Sequence, residues 1–144
     1  MPPKPILIVD DDKEVRSALA EMLEGEGYAV AGAHNGREAL QLMRGGLHPA
    51  VILLDLMMPV MDGWDFRSEQ ERDPAFSRVP VVIVSASGFS PESIHTQFRP
   101  AAYVPKPLER KQLLEVIGRL LRSSGAPGDL EATDRAREPQ DDGA

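Results

Sequence analysis

Cysteine is absent from the 144 residues, which excludes a disulfide framework, a thiolate zinc site and a cysteine nucleophile, and fits a reducing compartment. Long apolar runs are absent too. The stretch Ile6–Val9 that follows Met1-Pro2-Pro3-Lys4-Pro5 is far too short for a signal-peptide core or a membrane span. No membrane insertion and a cytoplasmic location are therefore expected. Positive charge is in deficit: the formal net charge is −7 and the pI about 4.9, which argues against direct binding to nucleic acid or an anionic membrane surface. No period of 20–50 residues recurs, so a solenoid is not supported. The length suits one domain with a single sizeable core.

What is present is an alternation of short apolar runs with segments of helical period, the pattern of an α/β protein whose parallel sheet is covered by helices on both faces. The expected strands are Ile6–Val9, Tyr28–Ala33, Val51–Asp55, Val79–Val84 and Ala102–Val104. Val51-Ile52-Leu53-Leu54 and Val81-Val82-Ile83-Val84 lack period-two alternation, which places them centrally, buried on both faces. Between the strands, Val15, Leu19, Met22 and Leu23 make one helical stripe and Ala39, Leu40 and Met43 a second. Asn35, with Glu38 three residues on, reads as the cap of that second helix and Gly45-Gly46 as its stop. A third helix is expected after Gly63 and a polar fourth over Pro91–Phe98, closed by Pro100. Leu113, Leu114, Ile117, Leu120 and Leu121 form the last stripe. The expected organisation is an extended arm over 1–4, a domain over 5–122, and an acidic tail over 123–144. That tail holds almost no large apolar side chain and reads as disordered and solvated.

In a doubly wound sheet, ligands bind beyond the carboxyl ends of the strands. The first strand runs into Asp10-Asp11-Asp12 and the third into Asp55, so if the two are neighbours their carboxylates converge. Crowded carboxylates repel one another unless a cation sits among them, and a small hard ion with oxygen ligands, Mg²⁺, suits such a set. Asp12 is set aside as a helix N-cap. The fourth strand adds Ser85, followed by Ala86-Ser87, and the fifth is followed by Lys106-Pro107. Acids, a hydroxyl and an ammonium at the ends of four strands are what phosphoryl transfer to a carboxylate requires.

The succession IVDDD, LDLMMPVMDG, VSAS and YVPKP resembles the receiver domain of two-component response regulators over about residues 4–122. The resemblance implies a flavodoxin-like five-stranded sheet of order 2-1-3-4-5 with five helices. It implies that Asp55 is the phospho-acceptor, and that Asp10 and Asp11 support Mg²⁺ together with Asp55 and the backbone carbonyl of Met57. Ser85 matches the switch hydroxyl, Lys106 the lysine that contacts the phosphoryl group, and Tyr103 the aromatic switch position. Pro107 matches a proline that follows the lysine through a cis bond, and Pro59 and Gly63 the turn into the third helix. His34, His48 and His95 lie apart without ligand spacing and are expected at the surface.

The function so implied is phosphorelay signalling. The chain takes a phosphoryl group from the phosphohistidine of a sensor histidine kinase or from a phosphotransfer protein, and signals to a downstream protein by contact. No second domain follows in the sequence, which suggests a stand-alone receiver. It catalyses only its own phosphorylation and dephosphorylation and is not otherwise an enzyme. Two other readings compete. One is a receiver-like interaction module that is not phosphorylated in the cell. The other is an aspartyl-phosphate phosphatase, disfavoured because Asp55-Leu56-Met57 lacks the second acid of an Asp-x-Asp motif.

Overall fold

The apolar run ILIV becomes β1 (Ile6–Val9), buried at all four positions. In the computed structural model, residues 4–58, 61–85 and 90–124 are described, the last two by backbone alone. Elements alternate as α1 (Lys13–Gly25), β2 (Val30–Ala33), α2 (Gly36–Arg44), β3 (Val51–Asp55), α3 (Gly63–Arg72), β4 (Val81–Ser85), α4 (Pro91–Phe98), β5 (Ala102–Pro105) and α5 (Arg110–Ser124). The five strands form one sheet in the order β2-β1-β3-β4-β5, and each neighbouring pair is parallel. β3 and β4 lie inside the sheet and are buried throughout, as their unbroken apolar runs require.

Two of the expected strands start late. Gly27 has φ 93° and the Tyr28 amide donates to the Leu23 carbonyl, so the exit turn of α1 uses Tyr28 and β2 begins at Val30. The Val79 amide donates to Phe76 in a turn and Pro80 has no N–H to give, so β4 begins at Val81. β4 and β5 each run one residue further than expected, to Ser85 and Pro105, where these two residues pair. α5 continues to Ser124, two residues beyond the change in composition. The proposed tail otherwise lies outside the described residues, as do Pro59, Ala86 and Ser87.

The caps follow side-chain chemistry. Asp12 Oδ1 accepts from the amides of Glu14 and Val15, confirming that this acid serves α1. Asn35 caps α2 through the Glu38 amide, while Glu38 returns to the backbone N–H and Nδ1 of His34 rather than to Asn35. Burial is slight at Glu38, and the His34 backbone N–H holds its carboxyl below the usual range. Gly45 ends α2 and Gly46 takes φ 117°, a conformation that suits glycine. α4 buries only Ile94 and Phe98 and closes through Arg99 at φ 47° before Pro100.

Alternation along the strands divides the core. Leu7, Val9, Ile52, Leu54 and Ile83 face α2, α3 and α4, with Phe66 and Phe98 packed on them. Ile6, Ile8, Leu53, Val82, Val84 and Val104 face α1 and α5, meeting Leu19, Leu23, Leu113 and Ile117. The clearest steric constraint lies at the start of α3. A Cβ on Gly63 would sit 2.7 Å from Leu56 Cδ2 and 2.8 Å from Leu56 Cα. Since one of these is backbone, Gly63→Ala should lower stability by about 1–3 kcal/mol, measured by chemical denaturation. An unchanged midpoint would mean that the start of α3 is free to shift away from β3.

Candidate functional site

Val9 pairs with Leu54, so Asp10, just past β1, and Asp55, the last residue of β3, stand side by side at the end of the sheet. Asp10 and Asp55 are both buried, with 3% and 6% of their surface exposed, while Asp11 points to solvent. A carboxylate oxygen from each of the three lies within 4.8 Å of the others. Asp10 is held from two sides. Its Oδ1 accepts the Asp12 amide at 2.9 Å, and Arg16 Nη1, one turn into α1, donates to its backbone carbonyl at 2.6 Å. Asp55 Oδ1 accepts the Met57 amide at 3.3 Å.

Lys106 enters from the end of β5. Its Nζ donates to Asp10 Oδ2 at 3.2 Å and lies 3.7 Å from Asp55 Oδ2. Its backbone is fixed by an N–H donated to the Ser85 carbonyl at 2.7 Å, and the Lys106–Pro107 bond is cis. Burial raises the Asp55 carboxyl above the ordinary carboxylate range, and neighbouring Asp10 adds to this, while Lys106 and the Met57 N–H offset it only in part. Burial pulls the Lys106 ammonium down, but Asp55 and Asp10 outweigh that and leave it raised.

Ser85 follows Val84, the partner of Asp55 in the sheet, and is completely buried. Its Oγ has no hydrogen-bond partner among the described residues. By strand parity Ser85 shares the face of Ile83, which pairs with Tyr103, and Tyr103 packs half-buried against that core. Met57 projects outward at 59% exposure. His34, His48 and His95 are all exposed.

The profile of the response regulator receiver domain matches residues 6–118. The chain belongs to the response regulator receiver family. Transcriptional regulatory protein CpxR of Escherichia coli (strain K12) is 35% identical over 120 residues, covering 83% of this chain and 50% of that protein. Response regulator MprA of Mycobacterium avium is 34% identical over 128 residues, covering 88% and 55%. The chain thus spans about half the length of the curated relatives it matches. Among solved structures, the chemotaxis protein CheY4 of Vibrio cholerae superposes with a TM-score of 0.75 at 28% identity, covering 83% of this chain and all of that one. The N-terminal domain of a receiver protein from Methanoculleus marisnigri gives 0.65 at 34% identity, covering 81% and 95%.

Within this receiver fold, two arginines that sequence reasoning passed over make structural contacts, Arg16 beside the acidic cluster and Arg67 at the far end of α4. Arg16 fixes the Asp10 carbonyl, and its position one turn past the Asp12 cap was the available signal. Arg67 of α3, largely buried, donates to the carbonyls of Phe98 and Arg99 at 2.9 and 3.0 Å and so holds the end of α4. Trp64 Nε1 adds a bond to Gln97 Oε1, and its ring meets Phe98 edge-on at 5.0 Å. Nothing in the periodicity of α3 marks those partners.

The donor set fits a divalent cation: three carboxylates within reach of one another and a single lysine leave the cluster short of positive charge. In metal-free buffer at neutral pH, Asp55→Asn should therefore melt higher than the wild type, since it deletes a charge that the fold holds unfavourably. The sign of the pH dependence follows from the raised folded value. As pH falls through it, native Asp55 binds a proton before the unfolded chain does, so the wild type regains stability and the gap narrows. Thermal melts in EDTA across the acid range measure this. A gap that widens toward acid pH would contradict the assignment of the strain to Asp55.

Proposed function

We propose that Asp55 accepts a phosphoryl group from the phosphohistidine of a sensor kinase or phosphotransfer protein, and that the phosphorylated state alters contacts with a downstream protein. The observation that carries this reading is the placement of Lys106 Nζ across from the carboxylates of both Asp55 and Asp10. That arrangement sets the Asp55 carboxyl beside a fixed cation, at the end of the sheet where the three acids gather. In the transfer, an Asp55 oxygen attacks phosphorus, a P–O bond forms, the P–N bond to the donor imidazole breaks, and the imidazole leaves with the electron pair. Lys106 neutralises a phosphoryl oxygen as charge shifts. Hydrolysis by water then returns the carboxylate and inorganic phosphate.

Asp10, Asp11, Asp55 and the Met57 carbonyl would hold Mg²⁺, with Asp10 oriented by the Asp12 amide and Arg16. When bound, the ion supplies the positive charge that the three carboxylates and the incoming phosphoryl oxygens lack. Ser85 serves as the switch hydroxyl: its Oγ, without a partner among the described residues, is ready for a new acceptor. Tyr103, on the same sheet face, transmits the shift to α4, β5 and α5. The receiver unit spans 5–122 between a short arm and an acidic tail, acts in the cytoplasm, and performs no catalysis beyond its own phosphorylation cycle. With its negative net charge, it engages proteins rather than nucleic acid.

Intact mass after incubation with a small phosphodonor tests the acceptor. One phosphoryl unit should be gained in Mg²⁺ and none in EDTA, and none by Asp55→Asn in either. An Asp55→Asn protein that gains the unit as readily as the wild type would sink the assignment. Lys106→Ala should slow the gain about 10²–10³-fold, the usual loss on removing one electrostatic stabiliser of transferring charge.

Ser85→Ala separates acceptance from transmission. It should still take the phosphoryl group while the ¹⁵N shift changes at Tyr103 and along α4 shrink. A hydrogen bond to a charged group is worth about 1.5–3 kcal/mol, so the wild-type equilibrium moves about ten- to a hundredfold and not completely. Shift changes confined to the rim in the wild type would refute the route through Tyr103.

A further inference from the structure

The end of the sheet opposite Asp55 carries a groove of about 640 Å³, lined by Lys4, Tyr28, Pro49, Arg78, Pro80 and Leu121 among others. All of these but Leu121, which lies in α5, precede β1, β2, β3 or β4, so the groove opens at the amino ends of the strands. Its lining is somewhat more apolar than polar, and its two charged residues are both cations. Neither Lys4 nor Arg78 has an ion-pair partner among the described residues. In a chain of net charge −7, such a pair beside an apolar wall is a place for an anionic, partly apolar occupant.

Leu121 sits in the last turn of α5, and that helix ends at Ser124, so the chain leaves the helix beside this groove. The 20 residues after Ser124 contain six acids against two arginines. Their one large aliphatic side chain, Leu130, stands between Asp129 and Glu131. We propose that Asp129-Leu130-Glu131 docks in the groove, Leu130 against the apolar wall and the two carboxylates toward Lys4 and Arg78. Six residues past Ser124 reach about 20 Å when extended, which is ample for a site beside the helix end. The tether supplies an effective concentration on the order of millimolar, so even a weak contact is populated. The opposite rim, with Asp10, Asp11 and Asp55, repels the same segment.

Because the chain has no cysteine, one spin label can be placed on the full-length protein without removing any other. Ala132→Cys carrying a nitroxide should attenuate the ¹⁵N amide signals of Gly27, Tyr28, Ala29, Ala75 and Val79, and leave Asp10 and Asp11 untouched. Thr133→Cys should give the same footprint, which guards against a local effect of the label. The attenuation should vanish in 1 M salt, where the Debye length is about 3 Å. It should vanish likewise in Lys4→Glu/Arg78→Glu and in Leu130→Asp, each checked for an otherwise unchanged spectrum. Attenuation that is absent, uniform, or centred away from the groove overturns the proposal. So does a groove footprint in a mixture of spin-labelled unenriched chains with ¹⁵N-enriched unlabelled ones, since the occupant would then be a second copy.

Discussion

Like charge held close is the constraint on which the rim depends. Parallel pairing of β1 with β3 in the observed register brings Asp10 and Asp55 to the same level, and Asp11 follows at the mouth. Burial makes the repulsion worse by removing water that would screen it. The surrounding fold compensates with oriented N–H groups and one cation: the amides of Asp12 and Met57 and the ammonium of Lys106. Asp10 and Asp11 are consequently not equivalent. Asp10 is locked by four partners on its side chain and backbone, Asp12, Arg16, Lys106 and Ala33, whereas Asp11 is exposed.

The same strand alternation that builds two core layers also sorts the site by direction. Ser85, Ile83 and Tyr103 face the side of α4, whereas Lys106 reaches back over the rim to β1 and β3. α4 itself is a short helix with two buried anchors, so its position is set as much by what clamps it as by its own packing. Arg67 and Trp64 supply that clamp from α3, through the carbonyls that end α4 and through Gln97 and Phe98. A displacement at the end of β4 therefore meets α4 as one body with α3, and a response confined to α4 alone would have to break charged hydrogen bonds to backbone.

Most of the sheet was legible because buried parallel strands leave unbroken apolar runs, and the caps at Asp12 and Asn35 were legible because each acts within three residues of itself; Asp62 caps α3 in the same way but was not read as a cap. The acidic cluster was legible for a related reason: each acid directly ends a strand, and parallel strands end at one rim. Where reading failed, contacts long in sequence or backbone turns decided the outcome. Val79 and Pro80 are apolar and strand-like by composition, but a turn to Phe76 claims the first, and Gln70, completely buried on α3, donates to the carbonyls of Phe76 and Val79. A buried glutamine in a polar helix gives no periodic signal. Arg67 is hidden similarly, since the carbonyls that it holds at the end of α4 lie 31 and 32 residues away.

Among the described residues, Ser85 carries an energetic cost that its resting surroundings do not offset. Its hydroxyl is wholly buried and has no partner among the described residues. Leaving such a group unsatisfied costs about 1–3 kcal/mol, an amount that a small side chain such as alanine would avoid at the same volume. The cost is intelligible if a second state of the molecule offers an acceptor, because the penalty then becomes a driving force toward that state. An oxygen-rich, charged group on Asp55 is such an acceptor, one strand away across the Asp55–Val84 pairing. Under the proposed phosphorylation of Asp55, the Ser85 hydroxyl, which has no partner among the described residues, is the group at the end of β4 that would gain an acceptor, and the equilibrium would shift by what that new bond is worth.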